Sequence, residues 1–543
     1  MARKAAVFLL AILFITPATA QSTKHWVFFA DKAGATQAEA GVLTPEALER
    51  RALRGGEIDS YDDAPVAERY LTALRTLGVE PVRTSRWLNA ASAWMTPAER
   101  AAVETLPFVQ STRPVGLSDP AAVDVVEAVF TPLPAAGPLA LDYGESETQL
   151  ALMNAIEPLE QGFNGAGVRI GFLDTTYDFD HQVFERLVAE NRLIAVIDTT
   201  GQGAQSNTHG HTVASTAVGF REGTLIGPCW GGEVLAATTE FAPSETNQEE
   251  DAFVAGMEWM EMMGADIVNV SLGYSTFDAG QRSYTTADLD GDTGVTTRAA
   301  DRAAQRGVVV VTSAGNEGSS PWQRITTPAD GDSVITVGAV TAEGVRAGFS
   351  STGPTADGRT KPDVVAQGAS TVIARSGSGY AFANGTSFSS PLTAGVVCQI
   401  LQANPGLSPI EVRDLLRSTA SQANNPDNLL GWGIVNAAAA VQGAITVDNE
   451  VETPALAGFT LNAVYPNPFA DRATLSFEAP AAASETHVRV YDLLGRVVAE
   501  PFTGRPAPGL NTIQFDAYDW PAGVYLLSLE TQNGTVAQQI VKR

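Results

Sequence analysis

The sequence predicts an α/β domain, a parallel sheet covered by helices on both faces, preceded by a small α+β domain and followed by a small β-sandwich. Three observations predict it. Over residues 143–443, continuous apolar runs of strand length alternate with helix-length stretches, the pattern of a parallel sheet buried on both faces. Over 21–116, helix and strand signals mix at shorter spacing. From Phe459 onward, short strands of alternating polarity are punctuated by turn residues such as Pro466-Asn467-Pro468 and Pro521-Ala522-Gly523, as in a sandwich.

Taken in order, residues 1–20 set Arg3 and Lys4 before an apolar run and end in Ala18-Thr19-Ala20, a secretory signal peptide cut before Gln21. That run is too short to span a bilayer, and no later stretch is long and apolar enough. The mature chain is therefore expected outside the cytoplasm without a transmembrane segment. In 21–116, strands are expected over 26–30, 79–82 and 90–95. Helices are expected over 44–53, opened by Thr44-Pro45, and over 66–77 and 97–106. Residues 117–142, rich in Pro and Ala, read as an exposed linker where cleavage is tolerated. The α/β domain over 143–443 has strand candidates at 168–173, 193–197, 233–237, 267–272, 308–312 and 334–337. Helix candidates stand at 212–218, 251–263, 297–305 and 409–419. The polar, acidic stretch 444–458 is a second linker. In 459–543 strands are expected over 474–478, 487–491, 512–515, 524–529 and 537–541.

A formal charge of −27 argues against a nucleic-acid partner, because phosphate binding needs a basic face. Cys229 and Cys398 are too few for a disulfide framework. Cys398 falls in an apolar helix, so a buried free thiol is the first expectation, ahead of a bridge to Cys229. Asp288, Asp290 and Asp292 alternate as calcium ligands do, with Gly291 between them. No bidentate Glu follows, so a solvated turn is favoured and no metal or cofactor is expected.

Polar residues just past apolar strands gather at one edge of a parallel sheet. Asp174 follows the run over 168–173, His209 stands at an expected helix start, and Asn316 follows the run over 308–312 between glycines. Ser387 lies in Asn384-Gly385-Thr386-Ser387-Phe388-Ser389-Ser390-Pro391, ahead of an apolar helix. Ser389 or Ser390 is the expected cap and Pro391 suits the first turn, which leaves Ser387 just before the N-terminus, where negative charge is favoured. An Asp, a His and a Ser supply the orienter, base and nucleophile of acyl transfer, and an Asn amide can donate to an oxyanion. Each piece alone has an ordinary reading: an Asp after a strand is usually a cap, and a lone His is usually structural.

Together, Asp174-Thr175-Thr176, the run from His209 to Ser215, Ser313-Ala314-Gly315-Asn316-Glu317-Gly318 and the Ser387 stretch resemble the four signatures of the subtilisin-like serine peptidases, in their order. The resemblance covers the whole middle domain and implies a subtilisin-like fold, a triad of Asp174, His209 and Ser387, and an oxyanion donor at Asn316. It further implies substrate strands bound along Ser271, Leu272 and Gly273, with Ser313, Ala314 and Gly315 as the facing edge. Thr176 stands where the family usually has Gly, and His211-Thr212 where it has Thr-His. His211 reads as a neighbour of the base and His181 as structural. No charged specificity pocket is evident, so broad endopeptidase activity on polypeptides is the expectation. The 21–116 domain is similar to the family's inhibitory propeptide in element order only. The C-terminal domain, with YPNPF at 465–469 and VYDLLGRVV at 490–498, resembles the sorting domain of the type IX secretion system. That implies outer-membrane export, to the medium or the cell surface, and a secretion-machinery partner. A serine esterase would need a G-x-S-x-G elbow and the order Ser, acid, His, which this chain lacks. A silent binding protein on the same fold remains the other alternative.

Overall fold

The structure, a computed structural model, describes residues 22–33, 43–56, 61–116, 141–203, 208–241, 244–447 apart from 280, 376 and 378, and most of 459–542. The expected signal peptide, the linker over 117–140, the stretch 448–458 and the turn at 466–468 lie outside the described residues. The chain divides into two compact units, 1–444 and 445–543.

The centre of the first unit is a seven-stranded sheet. Its strands lie in the order Val364–Gln367, Ile335–Val340, Val309–Ser313, Ile267–Val270, Arg169–Asp174, Glu233–Thr238 and Leu193–Asp198, every pairing parallel. Alternate residues of each strand feed two separate cores, which is why the runs are apolar throughout. Ile170, Phe172, Ile267, Val309 and Val311 meet the helices His209–Val218 and Thr386–Ala403 on one face. Leu173, Val268, Val270, Val308 and Val310 meet Asn247–Met262 and Val295–Ala304 on the other. From strand Arg169–Asp174 the chain goes to the edge strand Leu193–Asp198, fills the gap with Glu233–Thr238, then crosses to Ile267–Val270 and builds outward on the other side. The sheet's switch point is therefore beside Asp174, where parallel sheets open a crevice at the strand C-termini.

The N-terminal α+β domain carries an antiparallel sheet ordered Pro81–Ser85, Ala90–Met95, Thr23–Phe29, Val109–Gly116. Its strand Thr23–Phe29 is buried on both sides. Val27 and Phe29 pack under its own helices with Tyr70, Leu74 and Val103. Trp26 and Phe28 instead join Met257, Met260 and Ala299 in the core on the second face of the parallel sheet. Helix Pro45–Leu53, capped by Thr44 as expected, reaches the edge of the α/β domain opposite the strand C-termini. Arg50 donates to the carbonyls of Glu261, Ala265 and Arg306, and Arg54 to those of Asp266, Gly307 and Pro405. Two cationic side chains thereby sit at the C-terminal ends of three helices, where the dipole favours positive charge. Ion pairs of Arg51 and Arg86 with Glu261, and of Lys24 with Asp251, extend the contact.

Several expectations are corrected. The strand expected over 79–82 runs from Pro81 to Ser85, because Gly78 at φ 82° and the Val79 N–H, which closes on the Leu74 carbonyl, spend the start of that stretch on ending a helix. Strand Val109–Gly116 escaped notice because it is an edge strand carrying Pro114 and mostly polar residues. Cys398 is buried, but it is not a free thiol: it is bonded to Cys229 across 169 residues, with Cα atoms 5.8 Å apart. Glycines make the room, since a Cβ at Gly165 would lie 2.5 Å, and one at Gly232 2.7 Å, from the Cys229 sulfur. The Asp290 carboxylate is committed to its own turn, accepting from the N–H groups of Asp292 and Thr293 and from the Thr293 hydroxyl.

The second unit stacks a three-stranded and a four-stranded sheet. Leu475 and Phe477 from one sheet and Val488, Val490, Leu527 and Leu529 from the other fill a common core, which makes it a sandwich. Strand Val497–Gly504 was not anticipated, since only half-buried and exposed residues line it.

Candidate active site

Asp174 ends strand Arg169–Asp174 with its carboxylate buried. Oδ1 accepts the Thr175 N–H at 2.7 Å and lies 2.7 Å from Nδ1 of His209, while Oδ2 is buried with no partner among the described residues. The contact exists because helix His209–Val218 starts hard against the turn after Asp174. Gly210 donates its N–H to Thr175 Oγ1, and a Cβ there would lie 2.9 Å from the Thr175 carbonyl and from the Tyr177 ring. Only glycine permits that approach. Burial opposes a charge on His209, but the adjacent Asp174 carboxylate outweighs it and holds the ring's pKa above its ordinary 6.5.

His211 faces elsewhere, with Nδ1 2.8 Å from the Asp178 carbonyl and its ring edge-on to His181 at 5.2 Å. His181 accepts the Val183 N–H and caps a short turn. Burial lowers the pKa of both rings, and neither meets Asp174 through a hydrogen bond.

Ser387 lies inside the first turn of Thr386–Ala403 rather than ahead of it, and Pro391 is within the helix. Ser389 does not cap; its hydroxyl donates back to the Thr386 carbonyl. The expected cap is displaced because Asn316, arriving from the neighbouring strand, does that work: its Oδ1 accepts the Thr386 N–H at 2.9 Å and the Thr386 hydroxyl at 3.0 Å. This fixes the amide so that its Nδ2 turns toward the start of the helix. The Cβ that Gly385 lacks would stand 3.7 Å from Asn316 Nδ2 and 3.6 Å from the Ser387 nitrogen. Two N–H donors thus border the same small space. The His209 ring packs against Phe388, the residue after Ser387, with centroids 6.0 Å apart.

The Ser387 hydroxyl donates to the Ser271 carbonyl at 3.3 Å, and the Ser271 hydroxyl donates to the Ser387 carbonyl at 2.9 Å. The Leu272 carbonyl accepts from Ser313 Oγ at 3.4 Å. Ala314 spends its N–H on Val337 and its carbonyl on Thr326, and the Gly315 carbonyl accepts from Ser351. Gly273 and Gly315 are packed onto Thr326, whose Oγ1 would be 2.1 and 3.0 Å from Cβ atoms at those positions. Of this neighbourhood Thr326 and Asn269 escaped the sequence reading, and Ser390, expected there only as a cap, donates to Asn269 instead. Asn269 carried a signal, an amide inside an otherwise apolar buried strand.

Residues 165–433 match the Subtilase family. Subtilisin DY of Bacillus licheniformis is 32% identical over 297 residues, covering 54% of this chain and 97% of that protein. The chain belongs to the subtilase family. Subtilisin E of Bacillus subtilis (strain 168) is 30% identical over 302 residues, covering 55% of this subtilase and 71% of that protein. Among solved structures, a protease from Pseudoalteromonas arctica is 22% identical, covers 56% of this chain and 100% of its own, and aligns with a TM-score of 0.44. Residues 24–123 match the peptidase S8 propeptide domain of Bacteroidota and residues 463–543 a secretion system C-terminal sorting domain. This subtilase is thus a serine endopeptidase, made with a propeptide and exported to the medium or cell surface. No helix among the described residues is long and apolar enough to cross a membrane.

Proposed function

We propose that Asp174, His209 and Ser387 are the catalytic triad and that the enzyme cleaves a broad range of polypeptides through an acyl-enzyme. The observation that carries this reading is the 2.7 Å contact between buried Asp174 and His209 Nδ1, on a ring packed beside the Ser387 turn. With Nδ1–H held by the carboxylate, the Nε2 lone pair is the basic one. Ser387 Oγ exchanges its long bond to Ser271 for Nε2, loses its proton there and attacks the peptide carbonyl carbon. The carbonyl electron pair moves onto oxygen, where Asn316 Nδ2 and the Ser387 N–H donate to it. As the C–N bond breaks, His209 returns the proton to the leaving amine, and water then cleaves the ester by the same route. Substrate lies as an added strand along Ser271, Leu272 and Gly273. The facing residues Ser313, Ala314 and Gly315 act more as a wall, since Ala314 and Gly315 already use main-chain groups internally.

We assign residues 21–116 as the propeptide, released by cleavage within 117–142, residues 143–443 as the peptidase domain, and residues 459–543, after the 444–458 linker, as a type IX sorting domain that engages the secretion machinery. A fluorophosphonate probe tests the central reading. It is expected to label the native mature protein, and labelling is expected to vanish in Ser387→Ala and after heat denaturation. Labelling that persists in Ser387→Ala sinks the triad assignment, and no labelling of the native protein favours a silent binding protein.

A further inference from the structure

The nucleophile turn contains a gap in its own hydrogen bonding. Pro391 has no N–H, and the carbonyl it would have served in an α-helix is that of residue i−4, Ser387 itself. A buried carbonyl left unpaired costs free energy, so a partner from outside the helix is required. The Ser271 hydroxyl is that partner, at 2.9 Å. It is not free to choose its direction: Asn269 Nδ2 donates to Ser271 Oγ at 3.0 Å, and Asn269 Oδ1 accepts from Ser390 Oγ at 2.8 Å. Asn269, Ser390 and Ser271 are all buried, at 0%, 0% and 4% exposure, so water does not substitute for any of these bonds. The chain of bonds leaves the helix at Ser390, passes through the strand and returns to the helix at Ser387. It ties the turn to the end of strand Ile267–Val270 at the one place where the helix cannot hold itself.

We infer that Asn269 is a positioning residue for the reaction, which sets the Ser387 turn through Ser271 because Pro391 has removed the helical alternative. This rests on Ser387 being the nucleophile. Asn269 touches neither substrate nor the reacting atoms. Its amide is suited to the task because it must donate on one side and accept on the other, and neither Leu nor an ionised Asp does both.

The experiment uses the secreted mature enzyme, with kcat and KM measured on one peptide substrate. Asn269→Leu removes both buried hydrogen bonds of the amide and is expected to lower kcat by about tenfold or more, with KM changed by less than about threefold. Pro391→Ala restores an N–H that can donate to the Ser387 carbonyl, so in Asn269→Leu/Pro391→Ala most of the lost kcat is expected to return. A merely structural asparagine gives no such rescue. If Asn269→Leu fails to fold, Asn269→Asp replaces it. That side chain accepts from Ser390 but donates to Ser271 only when protonated, so its activity relative to wild type is expected to rise as pH falls. A folded Asn269→Leu with unchanged kcat, a loss that Pro391→Ala does not recover, or an Asn269→Asp ratio that is flat with pH overturns the inference. Fluorophosphonate labelling of the wild type in the same series separates the two readings. A labelled wild type with any of those results removes only the role of Asn269, and an unlabelled one removes the triad and this role with it.

Discussion

At the scale of the residue, the site depends on which atoms are already occupied. Asn316 uses its oxygen to cap helix Thr386–Ala403, which leaves its amide hydrogens for the proposed oxyanion. Asn316→Leu therefore loses a cap and a donor together. Turnover is expected to fall about a hundred- to a thousandfold, the loss known for the corresponding asparagine in subtilisin itself and carried over from it, and kcat/KM on a peptide ester is the measurement. Asn316→Asp keeps the cap and is expected to lose as much, since a carboxylate repels the oxyanion. The pH dependence follows from His209. The base must be neutral to accept the Ser387 proton, and Asp174 holds its pKa above 6.5 despite burial. Activity is thus expected to fall as pH drops through a value above 6.5. In Asp174→Asn the raising charge is gone and only burial remains, so the residual activity's acid limb is expected to move to lower pH. A pH profile of kcat/KM checks both, and a wild-type limb below 6.5 contradicts the assignment.

At the scale of the element, the N-terminal helix Pro45–Leu53 is fastened by Arg50 and Arg54 to the ends of three helices of the peptidase domain. Both arginines are buried, each beside a carboxylate, Glu261 or Asp266. Removing one member of such a pair leaves the other charge uncompensated. Arg50→Ala and Arg54→Ala are each expected to destabilise the uncleaved Ser387→Ala protein by about 3 kcal/mol or more, read by urea unfolding. Arg75→Ala, whose ion pairs are exposed, is the control and is expected to change little. Elements of this kind divide into those that announce themselves and those that do not. The parallel strands were legible because burial on both faces leaves nearly continuous apolar runs, and the boundaries held to within a few residues. Motif order points to Asp174, His209, Asn316 and Ser387, the residues of the proposed site. The start of the Ser387 helix was misread because its cap comes from Asn316, in the loop after another strand, while Ser389 and Ser390 are local look-alikes. Asn269 has no evident role in the sequence and a free thiol at Cys398 outranks the Cys229–Cys398 bridge for the same reason: the partners Ser390 and Cys229 are close in space and far along the chain, where periodicity carries no information.

At the scale of the molecule, the three regions do different work at different times. Residues 463–543 match a sorting domain, and the sandwich has a core of its own. Deleting 459–543 is therefore expected to leave the peptidase domain folded and probe-reactive yet held in the periplasm, as cell fractionation would read. Undiminished enzyme in the medium contradicts a sorting role for this segment. The bridge between Cys229 and Cys398 adds a matter of timing. It closes a loop of 169 residues, which on chain entropy alone is worth about 5 kcal/mol, and it grips the nucleophile helix about three turns beyond Ser387. Such bonds form in oxidising compartments and not among the thiols of the cytoplasm. A chain still at the ribosome thus lacks its staple, and the sturdiest form of the enzyme comes into being only after a membrane separates it from the proteome of the cell that made it.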